Sequence, residues 1–453
     1  MSRKPKRQRE RKPRRPLFGE DSWFERLLGS IRFRVGNMAG VKALAEHDGE
    51  PHEPIDFSSP SIPYYLNLAE KFHLARIVLY MVLFAFLVVT LFSTRQLITY
   101  ENLYYLVKDI DAAGITARSS ADHLSYPMSQ ATPDFAPFRG GIVVAGGDEI
   151  TVLSGSGKQT LSDNVSLSTP CVSAGGQYFI TYSRGAKDFT VYNAFVRVHK
   201  ELTDYPIYDA CMGNDGSFGV LTRSMDYTSE VIWYSDKMNK LAACHIGGYV
   251  TALSMSSDSR TLAVLSMDMV GGAYESKLTL LRRDGGGNVT YEEVTRSGAS
   301  MGATFLTDER LCVIYDGGFC IYRLDGQVYS EQNFDSQTPI LWGSTTGYFG
   351  VLCQDDDRLS AMVLSVFDQN GRSVYETDIT GVASPTSLVM VGQNVYLQDA
   401  THILCVSGGG KHFSETQTPR NALGLLVSAE GELLMLTPSY AQYLDTDDFE
   451  TIS

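Results

Sequence analysis

The sequence predicts an all-β fold for most of its 453 residues: a β-propeller of eight four-stranded blades, with seven as the alternative count, tethered to one N-terminal transmembrane helix. Three observations carry this. Residues 77–94 form a charge-free apolar stretch that nothing else in the chain matches. From residue 134 onward, short apolar runs alternate with Gly, Asp, Asn and Ser, the chemistry of tight turns. Those runs repeat about every 40 residues, the size of a four-stranded blade.

The N-terminal arm is basic. Residues 1–16 hold nine Lys/Arg against Glu10, with three prolines and no apolar periodicity, and so read as a disordered tail. Contact with an anionic membrane face or with nucleic acid is the sharper reading of this tail, and a solvated topogenic segment the plainer one. Ser22 and Glu25 then form a capping-box pattern. Trp23, Phe24, Leu27, Leu28, Ile31 and Val35 follow on one helical face, so an amphipathic helix is expected near 22–35. Residues 46–63 read as an acidic linker.

Between Arg76 and Arg95 lie eighteen residues of which only Thr90, Ser93 and Thr94 are not apolar or aromatic. At about 1.5 Å per residue such a helix crosses roughly 30 Å of hydrocarbon. A buried helix of a soluble protein is seldom apolar on every face. A cleaved signal peptide would need a small-residue cleavage site, which Phe92-Ser93-Thr94-Arg95-Gln96 does not provide. An uncleaved signal-anchor is expected, with residues 1–76 a cytoplasmic tail and 77–94 the span.

Orientation rests on charge. Residues 1–76 carry 15 Lys/Arg against 10 Asp/Glu, a net +5; the whole chain is −14, which leaves −19 for residues 77–453. The positive arm stays inside, so the cell membrane is the expected location and the acidic remainder is extracellular. That remainder is a poor candidate for nucleic acid, whose phosphates need a basic face. One pattern points the other way. The seven cysteines are odd in number and widely spaced, with no C-x-x-C pair, which favours a reducing compartment over a disulfide framework.

Beyond the span, Leu103, Leu106, Val107 and Ile110 give a helical stripe that ends near Gly114. Residues 95–133 are read as juxtamembrane helix and linker, with one strand allowed at 123–127. The propeller is assigned to 134–453. Its expected strands include 142–147, 150–153, 178–183, 189–192, 218–223, 230–235, 261–266 and 277–281. The series continues through 311–316, 319–324, 349–353, 362–367, 394–398, 402–406, 433–437 and 440–444. Eight copies start near 134, 165, 205, 248, 298, 336, 380 and 420. The turn at Gly176 recurs at Gly216, and Asp284-Gly285, Asp325-Gly326 and Asn370-Gly371 mark the turn after each third strand.

Met255-Ser-Ser-Asp-Ser-Arg-Thr-Leu-Ala-Val264 resembles the strand-turn-strand of WD40-type and TolB-type propellers, and residues 366–377 resemble the outer hairpin of PQQ-like propellers. No G-H…W-D signature occurs. With only Trp23, Trp233 and Trp342, the repeated tryptophan-docking motif of quinoproteins is absent, so no quinone binding is implied. The layout resembles an uncharacterised single-pass family from clostridial-type Gram-positives, a domain-of-unknown-function family with an extracellular propeller. The resemblance carries no site residues over.

No catalytic, cofactor-binding or metal-ligating residue is assigned, and no cofactor is expected. Ser154-Gly-Ser-Gly-Lys158 lacks the spacing of a phosphate loop and reads as a hairpin turn, as does Gly408-Gly-Gly-Lys411. Asp355-Asp356-Asp357 and Asp445-Thr446-Asp447-Asp448 lack the spaced ligands of an EF-hand and read as solvated turns. The expected function is therefore a membrane-anchored module that binds a protein or cell-envelope ligand. The alternative is a propeller lyase or hydrolase using carboxylates on one face of the ring.

Overall fold

The computed structural model describes residue 76, residues 78–86, residue 88 and residues 123–225, 227–356 and 361–452. The chain forms two units, Met1–Leu103 and Tyr104–Ser453. The described residues of the first are helical, with exposed apolar side chains. Among the described residues no helix is long and apolar enough to cross a membrane. The expectations for the basic arm, the helix near 22–35, the ends of the 77–94 span and the juxtamembrane helix lie outside the described residues.

The described residues of the second unit form eight antiparallel sheets. Seven successive blades occupy residues 134–164, 170–202, 207–246, 249–297, 300–333, 337–379 and 387–417. The sixteen runs read from the sequence are the second and third strands of all eight blades. These strands are buried on both faces by the neighbouring blades, which is why they are apolar throughout rather than alternating.

The eighth blade is composite. Gly424–Val427, Leu433–Leu436 and Tyr440–Leu444 supply three strands, and His123–Ser125 supplies the fourth. The register is His123 with Gln442, Leu124 with Ala441 and Ser125 with Tyr440. The propeller thus begins at 123, inside the segment read as linker, rather than at 134. A ring of identical units needs a lock between its two ends, and here the N-terminal strand provides it. The C-terminus returns to the seventh blade, where Glu450–Thr451 pairs along His412–Gln417.

In every blade the first strand is innermost. These inner strands touch in sequence around the ring, and that of blade 8 touches that of blade 1. The core is divided in the same way. Among the described residues, eight hydrophobic clusters fill the eight seams between adjacent blades. At the closing seam, fully buried Leu124 packs with Ile142 and Val144 of blade 1 and with Leu434 and Ala441 of blade 8. Tyr126 adds a hydrogen bond from its hydroxyl to the Thr437 carbonyl at 2.6 Å.

Aromatic residues that end the third strands consolidate the seams. Tyr192 stacks on Phe179 with centroids 5.2 Å apart and donates to Asp163 at 2.8 Å. Tyr234 stacks on Phe218 at 4.7 Å and donates to Glu201 at 3.1 Å. All seven cysteines are free, and five of them are buried. Burial pushes the Cys353 thiol up to about 12, so it behaves as a small apolar side chain.

Candidate binding face

The inner strands begin on what we call the upper face and end on the lower face. At the lower mouth, the ends of four successive inner strands, in blades 3 to 6, surround a cavity of about 430 Å³. Its hydroxyls are largely spoken for. Thr304 and Ser344 share a hydrogen bond at 2.9 Å, Ser257 donates to Asp308, and the Asp258 amide donates to the same carboxylate at 2.9 Å. The turns here lace blades together, with the Asn214 side chain donating to the Ser257 carbonyl at 3.0 Å and Arg283 to Asp215 at 2.7 Å.

At the upper mouth, blades 1 to 3 bring two carboxylates into one electrostatic field with Cys171, Tyr182 and Arg184. Burial pushes the Asp134 and Asp209 carboxyls above their ordinary range, against the pull of backbone N–H donors and of Arg184. Their oxygens have structural work. Asp134 accepts from the amides of Phe135 at 2.9 Å and Val172 at 2.8 Å, tying blade 1 to blade 2. Asp209 accepts from Ala210 at 2.9 Å and from the Tyr182 hydroxyl at 3.2 Å, tying blade 2 to blade 3.

The upper rim of blade 4 departs from the repeat. Its second and third strands, Thr261–Val270 and Ala273–Arg283, run to 10 and 11 residues, where blade 3 uses 5 and 6. Gly271 and Gly272, at φ 62 and 88, make the two-residue turn that joins them. The inner strand stops at Tyr249 opposite Met267, and the outer strand stops at Ser297 opposite Glu275. Residues 268–274 therefore project beyond the sheet with no strand on either side. Met269, Val270 and Tyr274 on this hairpin are 60%, 54% and 49% exposed.

More apolar and aromatic surface surrounds it. Met225 and Tyr227 lie in the loop between the second and third strands of blade 3, and Met225 is 91% exposed. Tyr227 stacks on His245 at 4.2 Å, and His245 reaches Glu230 at 3.1 Å. The Arg223 guanidinium lies 5.6 Å from the Tyr208 ring and 5.4 Å from that of Tyr249. Tyrosine, methionine and arginine are the residues that protein interfaces favour. Natural sheets usually blunt free edges with charge or proline, and here the free hairpin carries apolar side chains at its tip.

The sequence reading ends the second strand at Ser266 and starts the third at Lys277, so it misses the hairpin. The available signal was Gly-Gly between Met-Asp-Met-Val and Ala-Tyr-Glu, which matches a two-residue hairpin turn. The phosphate-loop look-alike is a hairpin turn as expected, with the Ser154 amide donating to the Lys158 carbonyl at 2.9 Å. Asp445 and Asp448 cap a short 3-10 turn, the Asp445 amide donating to Asp448 at 2.7 Å. Among the described residues no three His, Cys, Asp or Glu gather as a metal site.

These features define an eight-bladed, four-stranded β-propeller with a modified upper rim on blades 3 and 4. Residues 119–443 match a family of unknown function, DUF5711, and the chain belongs to it. The match starts just before the closing strand at 123, in keeping with a propeller that includes it. No curated protein matches the chain. Among solved structures it is similar to the dihydro-heme d1 dehydrogenase NirN in complex with DHE, at 14% identity over 75% of each chain and a TM-score of 0.52. It is also similar to BamB from Moraxella catarrhalis, at 13% identity over 71% of this chain and 99% of that one, with a TM-score of 0.49. The Pan2 WD40 domain of Neurospora crassa matches at 11% identity over 61% and 88% of the two chains, with a TM-score of 0.42. At these identities the likeness is one of fold.

Proposed function

We propose that this protein is a membrane-tethered binding module that docks a protein partner on the upper rim of blades 3 and 4. The observation that carries the reading is the projecting hairpin, whose apolar tip residues belong to neither of the hydrophobic clusters that flank blade 4. In this reading residues 77–94 are an uncleaved signal-anchor, residues 1–76 lie in the cytoplasm and the propeller faces outward. The eighteen charge-free residues and the exposed apolar helix over 78–86 support the span, and the basic arm supports the orientation. Anionic lipid is the counterpart of the basic tail.

A photo-crosslinker at Met269, compared with one at the exposed Val374 on the outer strand of blade 6, tests the docking face in cells. A discrete protein adduct at Met269 and none at Val374 is expected; equal labelling at both would remove the hairpin from the reading. A cysteine at Met128, which is 72% exposed, tests orientation. Labelling by an impermeant reagent in intact cells is expected, and protection would reverse it.

The second reading, an enzyme working through carboxylates, draws on Asp134 and Asp209 sharing one field at the upper mouth. Their hydrogen bonds to neighbouring strands favour a structural role. If Asp134→Asn and Asp209→Asn lower stability but leave adduct formation at Met269 intact, the docking reading stands.

A further inference from the structure

The docking reading leaves open what the rim selects. A cleft of about 170 Å³ lies between blades 3 and 4, bounded by His245, Gly247 and Gly248 on one side and the hairpin on the other. It is smaller than small-molecule pockets, which start at about 300 Å³, and is of a size for one long side chain. Strand alternation puts Ser266, Asp268, Val270, Glu275 and Lys277 on the hairpin face that lines it.

The charges in the cleft do not balance. Asp268 and Glu275 stand directly opposite each other in the hairpin register, and like charges so placed destabilise a hairpin. The basic groups nearby already have carboxylate partners: Lys277 pairs with Glu293 of the same lining at 3.3 Å, and His245 contacts Glu230 at 3.1 Å. The one side-chain hydrogen bond of Asp268 among the described residues is local, from the Met269 amide at 2.8 Å. At the edge of the cleft the Tyr227 ring stacks on His245, while Val270 offers an apolar wall.

We infer that this cleft receives a lysine or arginine side chain of the partner protein, carried on an apolar segment that leaves the cleft past Val270 and crosses the hairpin tip to Met269 and Tyr274 on the opposite face; this rests on the docking reading above. The stem of such a side chain matches the apolar wall, and its charged end matches the two opposed carboxylates. The same carboxylates repel an anionic membrane surface, so lipid is the poorer occupant.

The test uses the full-length protein in nanodiscs and a displayed library of random peptides. Enriched peptides are expected to carry Lys or Arg between apolar residues. Asp268→Asn with Glu275→Gln should weaken them by about 30-fold or more. Glutamine in place of the peptide's basic residue should do the same, and the two changes together should add little. A tip variant, Met269→Ser with Val270→Ser and Tyr274→Ser, separates this inference from the reading it rests on. If the tip variant abolishes binding while the carboxylate variant binds like wild type, the rim docks proteins but basic selection is wrong. If peptides bind the tip variant as well as wild type, or none is enriched, the docking reading falls too. Concentration-dependent dimers that the tip variant dissolves, or vesicle binding that it abolishes, would replace the partner protein with a second copy or with lipid and overturn the inference.

Discussion

At the residue scale, the ring is held by contacts with little tolerance. Gly302 lies against Trp342, and a Cβ at 302 would fall 2.2 Å from the indole Cζ2. Gly302→Ala is expected to destabilise by about 1–3 kcal/mol, because the half-buried indole, packed against the cluster between blades 5 and 6, must shift to admit the methyl group. Gly317→Ala, with nothing within 4 Å of its Cβ, is the control and should be near neutral in thermal unfolding. Asp215 makes a second test, through pH. Burial works to raise its carboxyl, but the Ser217 hydroxyl and amide and the Arg283 guanidinium outweigh it and hold the pKa below the usual range. A depressed carboxylate adds stability above its unfolded pKa, and that stability is lost as pH falls through the folded value. Asp215→Asn should therefore cost about 1–2 kcal/mol near neutral pH, and the gap from wild type should close on acidification below about pH 4. A gap unchanged by pH would remove charge from the explanation.

The same neighbourhood shows how sequence reasoning can align a turn without knowing its shape. Gly216 is left-handed at φ 92, and in the next blade the equivalent position is Ser259 at φ 57, where propeller turns of this kind carry glycine. Ser259 is fully buried, and its hydroxyl accepts from the Asp215 amide at 3.2 Å. That bond between blades offsets a conformation a serine seldom adopts. Gly176, aligned with Gly216 by spacing, does not have a positive φ; a Cβ there would sit 3.0 Å from the Asn214 carbonyl oxygen. It is small because the next blade comes close.

At the element scale, legibility follows burial. The second and third strands of every blade were readable because both faces are covered, giving runs such as Ile142–Ala145 and Leu311–Tyr315. The inner strands line the channel and the outer strands meet solvent, so their patterns are mixed, as in Arg197–Leu202 and Val328–Asn333. Propensity alone does not find these; the repeat does. The hairpin at 268–274 was hidden for another reason. Methionine and aspartate are weak strand signals, and no periodicity marks a strand that packs on nothing. Its independence gives a prediction. Replacing residues 269–274 with Asn-Gly, which keeps Asp268 opposite Glu275, should leave the melting temperature within about 2–4 °C of wild type, a change of about 1 kcal/mol, while removing the apolar tip of the proposed docking surface. A large loss of stability would show that the hairpin packs on the ring.

At the scale of the whole molecule, stability is shared among seams rather than stored in one centre. Each blade is flanked by two clusters and none can bury its own faces, so opening one seam exposes two apolar surfaces. The structure places the strand at His123–Ser125 in the propeller, and the family match covers it, where the sequence reading placed a linker with one strand allowed at 123–127. Three residues are a weak strand signal by themselves, and the leucine between His123 and Ser125 gains meaning only beside Ile142 and Leu434. The proposed function has a similar limit: the tether is an expectation from composition and charge, and the proposed docking face rests on the three-dimensional rim.

The claim on which all of this stands is a closed ring of eight blades locked by the strand at 123–125. Its most direct test is thermal unfolding of residues 115–453 beside residues 134–453 and beside Leu124→Asp in the longer chain. Losing the strand forfeits about 1.5–3 kcal/mol for burial of Leu124 alone, together with its pairing to Tyr440–Leu444. Placing a carboxylate in the seam should be worse. Both altered forms are expected to melt well below 115–453 in a single transition and to gain protease sensitivity in blades 1 and 8. If 134–453 is as heat-stable, monomeric and protease-resistant as 115–453, the ring does not close through its N-terminal strand.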